Sequence, residues 1–195
     1  MLSLENQLIA GYDDKQFLVQ QPWAKVNFPP KTLTFQTWEE LAKEFHISFF
    51  SFAQTEAADD RSIIRDSLSH AIDLAKNPGK YRSEHYKIGP EAYDTWVRAV
   101  EAGHGPSHGN WWNGTVWREC REMASKYLSE IASKLQGGKS EKAMGLSKQY
   151  GNVATFLDKA RDKGLADEKK IKVILEAKKA EEACVNGIEE FLNTF

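Results

Sequence analysis

The residues with chemistry to offer crowd into one stretch, His104-Gly-Pro-Ser-His-Gly-Asn-Trp-Trp-Asn-Gly-Thr-Val-Trp117. It carries three of the six tryptophans and two of the five histidines, with Asn110 and Asn113 between them. Glycine and proline punctuate it, so it reads as a loop in which backbone and side chains can approach a ligand closely. Two imidazoles suggest a metal, since histidine is a common zinc ligand. However, a four-residue spacing means little in a Gly-Pro loop, and neither an acid nor a cysteine accompanies the pair, even with His85 added. No metal and no cofactor are expected. Thiol chemistry has two candidates, Cys120 and Cys184. Both fall inside helical patterns among apolar neighbours, where a free cysteine behaves as a small hydrophobe, and no catalytic residue is assigned.

What the stretch does support is recognition. Aromatic walls with a few polar groups are what a small-molecule or peptide pocket requires. The expected lining is Tyr93, Trp96, His104, His108, Asn110, Trp111, Trp112 and Asn113. Trp117 lies on an apolar helical stripe and is expected to pack inward. Of the adjacent Trp111 and Trp112, one ring must point away from the core once helical geometry begins. Asn110 or Asn113 either caps the next helix or binds the ligand. Glu181 is the polar exception in an apolar seam and is expected at its boundary. His70 is expected to be structural.

These residues need positioning elements, and the first fifty residues offer β-structure. Gln7–Ala10 and Gln16–Gln20 are short apolar runs separated by Gly11-Tyr-Asp-Asp-Lys15, which suits a hairpin turn. Phe28-Pro-Pro30 forces an extended segment. Thr37-Trp-Glu-Glu40 has the form of a capping box and predicts a short helix over Trp38–Phe45. His46–Phe52 reads as a third strand. Beyond Gln54 the period turns helical.

Asp59 and Asp60 open a helix that runs to about Asn77, and Pro78-Gly79 stops it. Gly89-Pro90 starts a helix over Glu91–Ala102. Three longer helices follow, over Thr115–Leu135, Ser140–Lys163 and Asp167–Leu192. Their apolar residues recur at three- and four-residue steps: Trp117, Cys120, Ala124, Tyr127, Ile131 and Leu135 in the first, and Ala143, Leu146, Tyr150, Val153, Leu157 and Ala160 in the second. The predicted fold class is α+β, mostly α: a small antiparallel β-unit over residues 1–54, then a helical bundle over 55–195.

The order of these elements carries a family resemblance. Glu5-Asn-Gln-Leu-Ile-Ala-Gly-Tyr-Asp-Asp14 followed by Phe17-Leu-Val-Gln-Gln-Pro22 resembles the second half of papain-like cysteine peptidases that process double-glycine leaders. Gly89-Pro-Glu-Ala-Tyr-Asp-Thr-Trp96 and His108-Gly-Asn-Trp-Trp-Asn113 look like the helical portion of proteins related to butirosin biosynthesis protein H. The resemblance implies a Cys-His-Asn catalytic set, and the set is missing. No cysteine precedes Cys120, Glu5 stands at the histidine position, and Gln20-Gln21 replace the Asn-Asp before Pro22. A carboxylate is a poor match for imidazole as the base of a thiol. The chain is therefore expected to lack the cysteine-bearing half and to act as a binding module without catalysis.

Two alternatives belong to other classes. One is a thiol-dependent acyltransferase or amide hydrolase using Cys120 with His104 or His108, or completed by a partner chain. The other is a structural protein whose heptad-spaced helices form a homo-oligomer interface. The 26 basic and 28 acidic residues leave a net charge of -2. The basic residues alternate with acids along the helices, which argues against a phosphate-backbone partner. No apolar run is long enough for a bilayer, and Met1-Leu-Ser-Leu-Glu-Asn-Gln7 lacks the pattern of a signal peptide. With two isolated cysteines, a cytoplasmic location is expected.

Overall fold

The computed structural model describes residues 8–20, 32–34, 50–81 and 86–195. The fold is α+β and mostly α, and the chain divides into two compact units, Met1–Glu56 and Ala57–Phe195.

In the first unit, β1 (Leu8–Tyr12) pairs antiparallel with β2 (Gln16–Gln20), and β2 pairs antiparallel with β3 (Thr32–Thr34). Asp13 closes the hairpin. Its carboxylate accepts from the backbone N–H of Lys15 and Gln16 at 2.8 and 3.0 Å, the self-capping geometry that favours Asp in turns. The turn is shorter than the sequence predicts, because Gly11 and Tyr12 continue β1 past a bulge between Ile9 and Gly11. β3 falls just after the Pro29-Pro30 segment, where no strand was predicted. Of the predicted third strand, residues 50–52 have no regular structure. Its remainder and the predicted Trp38–Phe45 helix lie outside the described residues.

The second unit is helical. α1 (Asp60–Lys76) begins where Asp59 accepts from the Ser62 N–H at 3.0 Å, an N-cap that meets one of the orphan donors of the first turn. α2 (Pro90–Ala99) starts from Gly89, whose φ of 66° places it in the left-handed region. A Cβ there would sit 3.1 Å from the Ala75 carbonyl oxygen, so only glycine lets the start of α2 close on the end of α1. A wide π-type turn (Val100–His104) follows, broken by Gly103 at φ 88°.

α3 (His108–Lys134), α4 (Gly138–Ala160) and α5 (Asp167–Leu192) complete the bundle. α4 lies between α3 and α5, while α5 also meets α1, α2 and the π-type turn. Gly114 permits the close approach of α3 to the end of α4, because a Cβ would lie 2.6 Å from that of Arg161. The core runs through Leu128 and Ile131, Val153 and Leu157, and Ile174, Ile188 and Phe191. The seam residues of α4 and α5, expected to serve an oligomer, are thus buried within the chain. α4 also starts earlier than predicted. Gly137 at φ 59° turns the chain into it, and Ser140, where the helix was expected to begin, donates its hydroxyl back to the Ala132 carbonyl at 2.8 Å.

One lysine fastens the chain reversals. Lys170, in the second turn of α5, is fully buried. Its ammonium donates to the carbonyls of Gly105 and Asp162 at 2.8 and 2.6 Å, joining the turn before α3 and the turn after α4 to α5. Burial lowers its pKa, and Asp167 and Asp162 oppose the shift. A Cβ on Gly105 would overlap the Asp167 carboxylate, so the turn lies hard against the start of α5. Replacing Lys170 with Met keeps the volume and leaves the buried Gly105 carbonyl without its donor. The expected loss is about 1–3 kcal/mol, read by urea denaturation, with faster amide exchange across residues 100–108.

Candidate functional site

The structure does not bring the residues expected to line a pocket to one place. The stretch expected as a loop is mostly helix. Ser107 caps α3 by accepting from the Asn110 N–H at 3.1 Å, and the helix begins at His108, so neither Asn110 nor Asn113 is the cap. Ser107 lies three residues before Asn110, a spacing that suits an N-cap and that the Gly-Pro punctuation obscures.

Trp96 and Asn110 are drawn inward. Each is 6% exposed, and the Trp96 indole N–H donates to Asn110 Oδ1 at 2.7 Å. Asn110 Nδ2 in turn donates to the Ala160 carbonyl at 3.2 Å. Their polar atoms are spent on each other and on the last turn of α4. His108, Trp111 and Trp112 form an aromatic ledge at the start of α3, with the His108 ring 5.2 Å from Trp111 and stacked at 6.4 Å on Trp112. Trp112 is the outward ring, 41% exposed. Lys163 sits 5.8 Å from the Trp111 ring. His104 is exposed at the end of the π-type turn and Asn113 is half-buried. His85 lies outside the described residues. Among the described residues, no group of three or more His, Cys, Asp or Glu could hold a metal ion.

Tyr93 alone of the expected set lines a well-formed groove. It lies between the end of α1, the start of α2 and the middle of α5, holds about 280 Å³, and has walls from Ala75, Pro90 and Val185. Glu181 also lines it, and an ion pair with Arg121, outside the lining, holds Glu181 in place. Arg121 Nε and NH2 reach the two oxygens of Glu181 at 2.9 and 2.5 Å, the fork geometry that makes Arg–carboxylate pairs strong. The Tyr93 hydroxyl donates to the same carboxylate. Trp117 packs edge-to-face against Tyr93 at 4.9 Å and lies 5.4 Å beneath the Arg121 guanidinium.

The Arg121 and Glu181 side chains are 23% and 16% exposed. Burial disfavours the Arg121 charge, and Glu181 beside it more than restores that charge, so its pKa is raised. Burial, and then the Glu181 carboxylate, hold the Tyr93 hydroxyl protonated well above its ordinary range. Glu181 is half-buried and lines the groove, at the boundary of the core as expected, with Arg121 and Tyr93 as its partners.

The thiols separate. Cys184 is buried, and burial followed by the Glu181 carboxylate pushes it up to about 12. Cys120 is exposed, contrary to expectation. The inward stripe of α3 runs through Trp117, Arg121, Ala124, Leu128 and Ile131, one position out of phase with a stripe drawn through Cys120. Twelve residues along one helix put Cys120 about 18 Å from His108, far beyond hydrogen-bond reach. His70 is exposed, with its ring edge-on to Tyr81 at 5.6 Å.

Sequence reasoning missed Arg121 and Lys170. The signal was present in α5, where positions 170, 174, 177, 181, 184, 188 and 191 keep a strict four-three spacing that includes two charged residues. Charges on such a stripe must find partners elsewhere in the chain. Comparison with protein-family models, curated proteins and solved structures finds no match to this chain.

Glu181→Gln strips Arg121 of its counter-charge and is expected to cost about 3 kcal/mol, while Tyr93→Phe costs about 1 kcal/mol. Urea denaturation at neutral pH measures both. A thiol reagent at neutral pH should label one cysteine per native chain, Cys120, and a second only after unfolding, with mass spectrometry of peptides assigning the site.

Proposed function

We propose that this chain is a binding module without catalysis, and that its ligand is a small molecule or peptide side chain held in the groove between α1, α2 and α5. The observation that carries this reading is the groove itself. It combines apolar walls with two polar lining residues, Tyr93 and Glu181, that are held by each other and by Arg121 outside the lining. Such pairing of apolar enclosure with a few fixed polar groups is what ligand sites share. A volume of about 280 Å³ suits a compact ligand.

The departures from the papain-like pattern at Glu5, Gln20 and Gln21 fit the same reading, since the chain then keeps a relative's scaffold without its catalytic set. A reducing, cytoplasmic setting suits two unpaired thiols.

A fragment screen by ligand-observed NMR tests the proposal when it is run on the native chain and on Val185→Trp, which fills the groove from a half-buried position. Hits on the native chain that are lost in Val185→Trp, at a melting temperature within a few degrees of native, are the expected result. Hits that survive the substitution, or a screen with none, overturn it.

A further inference from the structure

Apolar anchorage is shared unequally among the helices. Of the largest fully buried side chains among the described residues, all but Val100 belong to α3, α4 or α5. Those three helices therefore enclose a core by themselves. α1 stands apart from it. Over 17 residues it buries Ile64 and Leu68, whereas α4 buries eight residues over 23. Ile72 adds a partly buried contact, while Ile63 and Leu74 on the same helix are exposed.

The other ties of α1 lie at or near the surface. Asp60 pairs with Lys134 at 2.7 Å, Lys76 pairs with Glu189, and Arg61 donates to the Phe195 carbonyl. The hydroxyls of Ser67 and Tyr127 meet at 2.8 Å. Exposed ion pairs contribute little, because water and salt compete for both charges. Nor do the flanking segments add anchorage. Residues 50–59 before α1 are exposed and without regular structure. Beyond its other end, the Asp73 carboxylate accepts from Asn77 Nδ2 at 2.6 Å, Lys80 Nζ at 2.8 Å and the Tyr81 hydroxyl. The turn through Tyr81 is thus fastened to α1 itself. Where α1 ends it meets α2 at Gly89, which offers only backbone.

We infer that α1 and the turn after it form a detachable strap, which leaves the bundle as one unit while α3, α4 and α5 stay folded. The free energy of a local opening follows the apolar contact that must be broken, and here that contact is Ile64, Leu68 and part of Ile72. The last turn of α1 supplies Ala75 and Lys76 to the groove, so release takes one wall away and opens the groove to solvent. The device belongs to the fold and holds whether or not the groove receives a ligand.

Native-state amide exchange of the full chain, followed by NMR across low urea concentrations, tests this. The amides of residues 64–76 are expected to share one opening, at least about tenfold more frequent than the opening that exposes Val153, Leu157 and Ile174, and with a shallower dependence on urea because less surface is uncovered. Leu68→Glu keeps a good helix former and places a charge in the seam. It should abolish protection in α1 and leave the amides of α4 and α5 protected. The inference is overturned if α1 and α4 exchange at one rate with one urea slope, or if rates in α1 grade from its ends inward as in fraying. Loss of protection throughout Leu68→Glu would overturn it too, and so would retained protection of α1 in that variant.

Discussion

A carboxylate inside a helical bundle must be answered by a charge, and the second unit is arranged around the answer given to Glu181. Arg121 approaches it from α3 and Tyr93 from α2, so three helices that share few backbone contacts are fixed to one point. Such a pair adds little net stability compared with apolar residues of the same volume, because the cost of taking both charges out of water offsets their attraction. Its effect here is on register. A slip of α3 by one residue would withdraw the guanidinium and strand the carboxylate.

α5 carries two polar devices of the interior. Lys170 near its start holds two chain reversals through backbone carbonyls, and Glu181, three turns later on the same stripe, holds two side chains. The first fixes where α3 begins and where α4 ends. The second fixes how α2 and α3 lean on α5. Between them the apolar residues Ile174 and Ala177 are fully buried, so the helix alternates polar anchorage with close packing.

Elements with their own punctuation were legible in the sequence. α5 spans Asp167–Leu192 as predicted, because acids open it and an unbroken four-three stripe runs its length. α1 was legible from Asp59 and Pro78 for similar reasons. The start of α3 was not. Its Gly-Pro and Gly-Asn steps carry the signature of a loop, and the tertiary contacts of Trp96, Asn110 and Ala160 override that local preference. The phase of α3 was missed because Arg121 looks like a surface residue until a partner sixty positions away is known. The groove could not be read at all. Ala75, Pro90 and Val185 belong to three elements, and no spacing along the chain records that they meet. Only Tyr93 was found, and it was grouped with aromatic residues that the fold sends elsewhere.

The contact between Trp96 and Asn110 has a further consequence, for how this sequence can drift. The indole N–H has one acceptor, that acceptor belongs to an amide whose other end serves the Ala160 carbonyl, and all of it is sealed from water. An apolar residue at either position alone orphans its partner's polar atom, and changing both still leaves the buried Ala160 carbonyl without the Asn110 amide. Positions 96 and 110 are therefore tied to each other and to the end of α4, and they can vary together only where a donor to that carbonyl is kept.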